Sequence, residues 1–342
     1  MRYFIFLLPF VVFVCSCVKD KPKNPVQPIA QLSTAKKVYV VNEGNYGSAN
    51  SSISLIDLGN NQVVEDFFKN QNNSVLGDVT QSINYFNSNF YIVVNNSGKI
   101  VVCNNQFKKM GQISGLTSPR YILPITNQKA YVSDLYSNAI SVVDLNTNTK
   151  ISSIPCSGWT EKMTLIYDKA FITNLKTNFV YVVNTFSNVI TDSINVGKNA
   201  GSIGIDKYDK LWVLSVGDKT NSILGKLCRI NPATNQVELS LSFTLNDSPN
   251  NLCFNKTKDT LYYLNDGVYR MSISSSSLPQ TPIIAQGNKN FYGLGINPND
   301  YTIYASDALD YIQKSNIYVY DINGNLKQNF KAGLISNGFY FE

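Results

Sequence analysis

The side chains in this sequence that could do chemistry are amides, carboxylates and phenols set at the ends of apolar runs. Not one histidine occurs among 342 residues. Asp78 and Gln81 (LGDVTQS), Arg120 (SPRY), Trp159 and Glu161 (GWTEKM), Asn250, Tyr292 and Asn337 stand at the start of one set of runs. Asn42, Glu43, Asn45 and Tyr46, then Asn95, Asp134, Tyr136, Asn174, Lys176, Asp307 and Tyr311 stand at the end of another. Without histidine the commonest general base and transition-metal ligand are missing, which counts against hydrolytic triads and zinc sites. Amides beside aromatic rings suit a different task, holding a large polar ligand that has flat apolar portions. The rival chemistry is a metal-dependent hydrolase or lactonase, in which Glu43, Glu161, Asp78 and Asp307 would offer oxygen donors to Ca²⁺. No compact DxDxDG-like loop supports it. The reading is therefore binding rather than turnover: not an enzyme, with no catalytic residue, resident metal or cofactor.

The elements that must position these residues show up as an internal repeat. KVYVVNE opens at Lys37 and has counterparts in NFYIVVN, KAYVSDL, KAFITNL, KLWVLSV, TLYYLND and TIYASDA. Their aromatic anchors are Tyr39, Tyr91, Tyr131, Phe171, Trp212, Tyr262 and Tyr304, separated by 52, 40, 40, 41, 50 and 42 residues. Seven units of this length match the four-stranded blade of a β-propeller. Each unit adds a second run, as in SISLIDL, AISVVDL and NIYVYDI. Most are preceded by another, such as PRYILPI or FYGLGIN. The first unit lacks that preceding run, and the chain ends with ISNGFYFE, which supplies it. The expected architecture is all-β, a seven-bladed β-propeller over residues 36–342 closed by the C-terminal strand completing the first blade, so that no sheet edge is left open at the seam. No helical period is visible after the leader. Asp57, Asp144 and Asp321 recur in the outer hairpin turns, where a carboxylate bonds the turn backbone.

Composition agrees. Apolar residues make up 44%, charged residues only 15%, and there are 21 Tyr and 18 Phe, a balance that suits pleated buried surfaces. The net charge of +6 is carried by scattered lysines without a basic stripe, which argues against nucleic acid as a partner. Cys103, Cys156, Cys228 and Cys253 lie in or beside strands without CxxC spacing and read as small buried hydrophobes.

The first residues read as an address. MRYFIFLLPFVVFVCSC has one basic residue and an apolar run too short to span a bilayer comfortably, the pattern of a secretory signal. Val14-Cys15-Ser16-Cys17 resembles a bacterial lipobox, which implies cleavage after residue 16 and acylation of Cys17. A plain secretory peptide or an uncleaved anchor is the alternative. Residues 17–35, with Pro22, Pro25 and Pro28 and no apolar period, read as a flexible tether. Lys19-Asp20-Lys21 lies where some lipoproteins carry a charged surface-export signal, here reduced to one aspartate.

NEGNYGSANSSIS, LGDVTQSI, YIVVNNSGKI, SPRYI, AYVSDLYSNAISVVD and GWTEKM together resemble the YVTN/YncE-like seven-bladed propellers, in particular the surface lipoproteins of Bacteroidetes. Some members of that group are vitamin B12 capture proteins of the BtuG type, seated over a TonB-dependent outer-membrane transporter. The resemblance implies a lipid-anchored protein at the outer membrane, facing the cell surface, that captures cobamides and passes them to such a transporter. It further implies that Asn42, Asn45, Gln81, Asn95 and Asn174 meet corrinoid amides, and that Tyr46, Tyr136, Trp159 and Tyr292 stack on the ring. Arg120 or Lys176 would meet the phosphate, and Glu43 and Glu161 complete the expected ligand-binding set. An adhesion or scaffold propeller that binds a protein or glycan fits the same Tyr- and Asn-rich face.

Overall fold

The computed structural model describes residues 36–342. The expected signal peptide, the acceptor Cys17 and the tether lie outside the described residues. Within them the chain forms seven four-stranded antiparallel sheets. The second strands of successive blades are Lys37–Asn42, Asn89–Val94, Lys129–Asp134, Lys169–Asn174, Leu211–Asp218, Thr260–Leu264 and Ile303–Asp307. These contain the repeat anchors, and all seven anchor aromatics are buried. The inner strands, in the same blade order, are Ser336–Phe341, Thr80–Phe86, Pro119–Pro124, Thr160–Ile166, Ala200–Ile205, Asn250–Phe254 and Phe291–Ile296. Each inner strand contacts the inner strands of the blades on either side, which closes the ring. The first blade is completed by the last strand, with Tyr39 opposite Tyr340 and Val41 opposite Gly338. Lys37 and Tyr39 also reach the Glu342 carboxylate at 3.2 and 3.1 Å.

Blade stacking explains why these strands are apolar throughout instead of alternating. Tyr39 and Val41 of the first blade enter the core shared with the second, while Val38 and Val40 enter the core shared with the seventh. Both faces of a strand are thus removed from water, and period-two polarity disappears.

A second regularity builds the top of the molecule. At the start of every inner strand the register against the second strand slips, so extra residues face the partner. Such a bulge re-aims side chains and leaves backbone groups unpaired. The neighbouring second strand answers with a hydroxyl: Ser133 Oγ accepts from the Tyr121 amide, Thr173 Oγ1 donates to the Lys162 carbonyl, and Ser306 Oγ accepts from the Gly293 amide. The residue after each hydroxyl is Asp134, Asn174 or Asp307. Asp134 accepts from the amides of Ser118, Tyr136 and Ser137. Asn174 accepts from Trp159, Lys176 and Thr177, and Asp307 from Asn290 and Leu309. The recurring hydroxyl-then-Asx pair therefore seals a bulge and ties two loops of the same face together.

Two irregularities account for the long gaps in the repeat. After the outermost strand of the first blade, Gln62–Val64, comes a short helix, Phe67–Asn72, where the sequence shows no helical period. One and a half turns are too few to display periodicity. Phe67 and Phe68 plug the core between the first two blades. In the fifth blade the hairpin Leu211–Asp218 to Ile223–Asn231 extends beyond the others through a 3₁₀ turn capped by Asp218. Asp57, Asp144 and Asp321 each accept a bond from an amide two residues on, at 2.8–2.9 Å, as expected of turn residues. Cys103 and Cys228 are buried, Cys156 and Cys253 are half-buried, and none of the four is paired.

Candidate functional site

The bulge positions are Gln81, Arg120, Glu161, Gly201, Asn251, Tyr292 and Asn337, one from each blade, and all line one cavity of about 470 Å³ at the mouth of the central funnel. Where the slip is wider a second residue joins, placing Tyr121 and Lys162 in the same lining. Glu43 enters from the loop above the first blade.

The ring is not a set of free polar groups. Arg120 donates from Nε and Nη2 to the two oxygens of Glu161 at 2.8 and 2.7 Å, a planar bidentate pair. Its Nη1 donates to Gln81 Oε1, and Gln81 Nε2 donates to the Tyr121 hydroxyl at 3.4 Å. Burial works against the guanidinium, but the Glu161 carboxylate outweighs it and holds Arg120 charged. On the other side Glu43 accepts from the Tyr292 hydroxyl at 3.0 Å and from Asn337 Nδ2 at 2.7 Å. Burial raises the Glu43 carboxyl above its usual value despite those two bonds and the distant Arg120. Burial next to Glu43 likewise raises the Tyr292 phenol. Asn337 Nδ2 also bonds the Gln81 carbonyl, joining the two halves, while its Oδ1 is buried without a partner.

Aromatic side chains stand around this mouth. Tyr292 meets Tyr311 edge to face at 5.8 Å between centroids. Farther out, Tyr136 packs edge-on against Trp159 at 5.6 Å, and Lys176 Nζ sits 3.9 Å from the Trp159 ring centroid. Tyr46 is 80% exposed on the loop after the first strand. Neighbouring Asn45 donates to the Tyr311 carbonyl at 2.9 Å.

The residues singled out in the sequence thus fall into three places. Glu43, Gln81, Arg120, Glu161 and Tyr292 converge on the funnel. Asn45, Tyr46, Tyr136, Trp159 and Lys176 form an outer rim, outside that cavity. Asn42, Asn95 and Asn174 are buried in the framework. Asn42 donates to Ser52 and Ser54 and accepts from Gly333 and Ser336. Asn95 donates to Ser118 and the Pro119 carbonyl. Their amide nitrogens are all engaged, because the Asx position ending the second strand serves the loops and not the cavity. Sequence reading passed over Tyr121, Lys162, Gly201 and Asn251. The signal that marks three of them is paired polar residues at the head of an apolar run, Arg-Tyr, Glu-Lys and Asn-Asn. Among the described residues no three Cys, Asp or Glu side chains are grouped as metal ligands.

A family model described as a domain of unknown function, DUF5074, matches residues 36–342. No curated protein is significantly similar to the chain. Solved structures of similar fold include a quinonprotein alcohol dehydrogenase-like protein from Bacteroides thetaiotaomicron, at TM-score 0.72 and 14% identity over 89% of this chain and 77% of that one. A putative 6-phosphogluconolactonase from Bacteroides fragilis aligns at TM-score 0.67 and 12% identity, over 90% and 98%. A protein from Lactobacillus plantarum aligns at 0.67 and 11%, over 90% and 99%. Identities this low speak for the fold alone.

Proposed function

The chain belongs to the DUF5074 family, and from that premise we infer that it is a capture protein, which binds a large polar ligand at the funnel mouth without transforming it. The supporting observation is the bulge ring, which sets polar side chains from six blades around one opening of about 470 Å³ with phenols and an indole beyond it. A site whose donors and acceptors are already oriented loses little entropy when a ligand docks. Our candidate ligand is a cobamide. Its amide-fringed macrocycle would find hydrogen-bond partners in the ring and stacking surfaces in Tyr292, Tyr311 and the Tyr136–Trp159 pair. With no histidine in the chain, an imidazole cannot replace the lower ligand of the cobalt, so the cobamide would be held intact. A lipid anchor at Cys17, a place at the outer-membrane surface and delivery to a TonB-dependent transporter complete this reading.

The catalytic alternative requires a free carboxylate pair. Glu161 is held by Arg120, and Glu43 by Tyr292 and Asn337, which favours recognition over acid–base work. Equilibrium dialysis of the purified chain against cyanocobalamin tests the proposal. Retention of the corrin absorbance on the protein side is the expected result, and equal partition would contradict it.

A further inference from the structure

Five charged side chains line the funnel: Arg120, Glu161 and Glu43 are held by neighbours, and Asp266 stands beyond the second strand of the sixth blade. Lys162 is different. It follows Glu161 in the bulge of the fourth blade and lines the same cavity. Among the described residues its ammonium makes no hydrogen bond and no ion pair; it stands 6.0 Å from the centroid of the Tyr121 ring, within electrostatic reach of Glu161 and Arg120. The group is half-buried, and desolvation lowers its pKa below the usual lysine value. A partly desolvated ammonium with three unused donors lacks an acceptor.

The ring is also open beside it. The bulge residue of the next blade is Gly201, the one position of the seven without a side chain. A Cβ built there would press on Leu175 Cδ2 at 3.2 Å, so a side chain would close the opening that glycine leaves. Ser202 and Asn251 line the same cavity, although the Asn251 amide nitrogen already donates to the Tyr292 carbonyl at 2.5 Å.

We propose that the gap between the fourth and sixth blades, with Lys162 at its edge, is an oxyanion subsite that takes a phosphate or carboxylate group of the captured ligand. This deepens the capture reading and reassigns its anion contact. Arg120 is committed to Glu161 and Gln81, and Lys176 is stacked on Trp159 outside the cavity, so neither is the residue that meets the charge. Gly201 leaves the room the anion needs, and Lys162 supplies the charge-assisted bond.

The test reads Lys162 directly. Lysines of the purified full chain are dimethylated with ¹³C-formaldehyde, and the Lys162 signal is assigned by its loss in Lys162→Gln. Inorganic phosphate and acetate are then titrated at constant ionic strength, with chloride as the control. A saturable shift of the Lys162 signal with phosphate or acetate, absent with chloride, is expected. Phosphate acting alone identifies a phosphoryl subsite and acetate alone a carboxylate subsite. A signal indifferent to both, or one that follows chloride equally, overturns the proposal. Cyanocobalamin, which carries a phosphodiester, separates this proposal from the capture reading. If wild type binds it and Lys162→Gln, with unchanged melting temperature, binds it about tenfold or more weakly, both stand. If the variant binds equally well, the subsite falls and capture survives. If wild type does not bind it yet phosphate shifts Lys162, the subsite stands and the cobamide falls.

Discussion

Glu43 and Arg120 are half-buried charges held in opposite ways, and they give opposite expectations. The Glu43 carboxyl has a folded-state pKa above the ordinary 4.5 because burial outweighs its two bonds. A group that holds its proton more tightly folded than unfolded lowers stability above the folded pKa, and that loss is relieved as pH falls toward the unfolded value. Glu43→Gln removes the charge, so its melting temperature relative to wild type should be most favourable at alkaline pH and should lose that advantage as pH falls to the ordinary 4.5. A difference that stays constant across that range would contradict the assignment. Arg120 and Glu161 have side chains only 18% and 6% exposed. Removing one partner strands the other, so Arg120→Met should cost about 3–5 kcal/mol in urea denaturation. Arg120→Met with Glu161→Gln should cost less than the single change. At this scale half of the site was legible. Gln81, Arg120, Glu161 and Tyr292 were legible because a polar residue heading an apolar run must face something other than the core. Asn42, Asn95 and Asn174 looked alike on paper, yet their side chains are consumed by the loops they latch, and nothing in residue type separates the two uses.

The elements were more legible than the residues they carry. A strand buried on both faces announces itself as an unbroken apolar run, and the anchors from Tyr39 to Tyr304 counted the blades. The bulges were hidden, since composition carries no trace of a register slip and the paired polar residues that mark one, Glu161-Lys162 and Asn250-Asn251, read equally well as loop ends. The helix Phe67–Asn72 was hidden for want of length. Its role is nonetheless defined, because Phe68 is 2% exposed in the core between the first two blades. Phe68→Ala should lower stability by about 3–5 kcal/mol by leaving a cavity there. Denaturation that shows no loss would mean the helix merely covers an already sealed junction.

For the whole molecule the governing fact is closure. Each blade buries its faces only against neighbours, and the first depends on a strand more than 290 residues away in sequence, Ser336–Phe341 opposite Lys37–Asn42. Ending the chain at Ile335 removes that strand along with Asn337, which bridges Glu43 to Gln81. The truncated chain should fail to give a cooperative thermal transition by circular dichroism, whereas a native-like transition would show that six complete blades suffice. Closure also turns seven unrelated bulge residues into one ring, and the capture account depends on that ring. Its most direct test is a calorimetric titration of the purified chain with cyanocobalamin and, separately, with cobinamide, which lacks the nucleotide loop. The account predicts one site per chain with a Kd below about 1 µM for cyanocobalamin, weaker but measurable binding of cobinamide, and loss of both when Tyr292 is changed to Ala. No heat and no shift of the corrin absorbance with folded protein would contradict it.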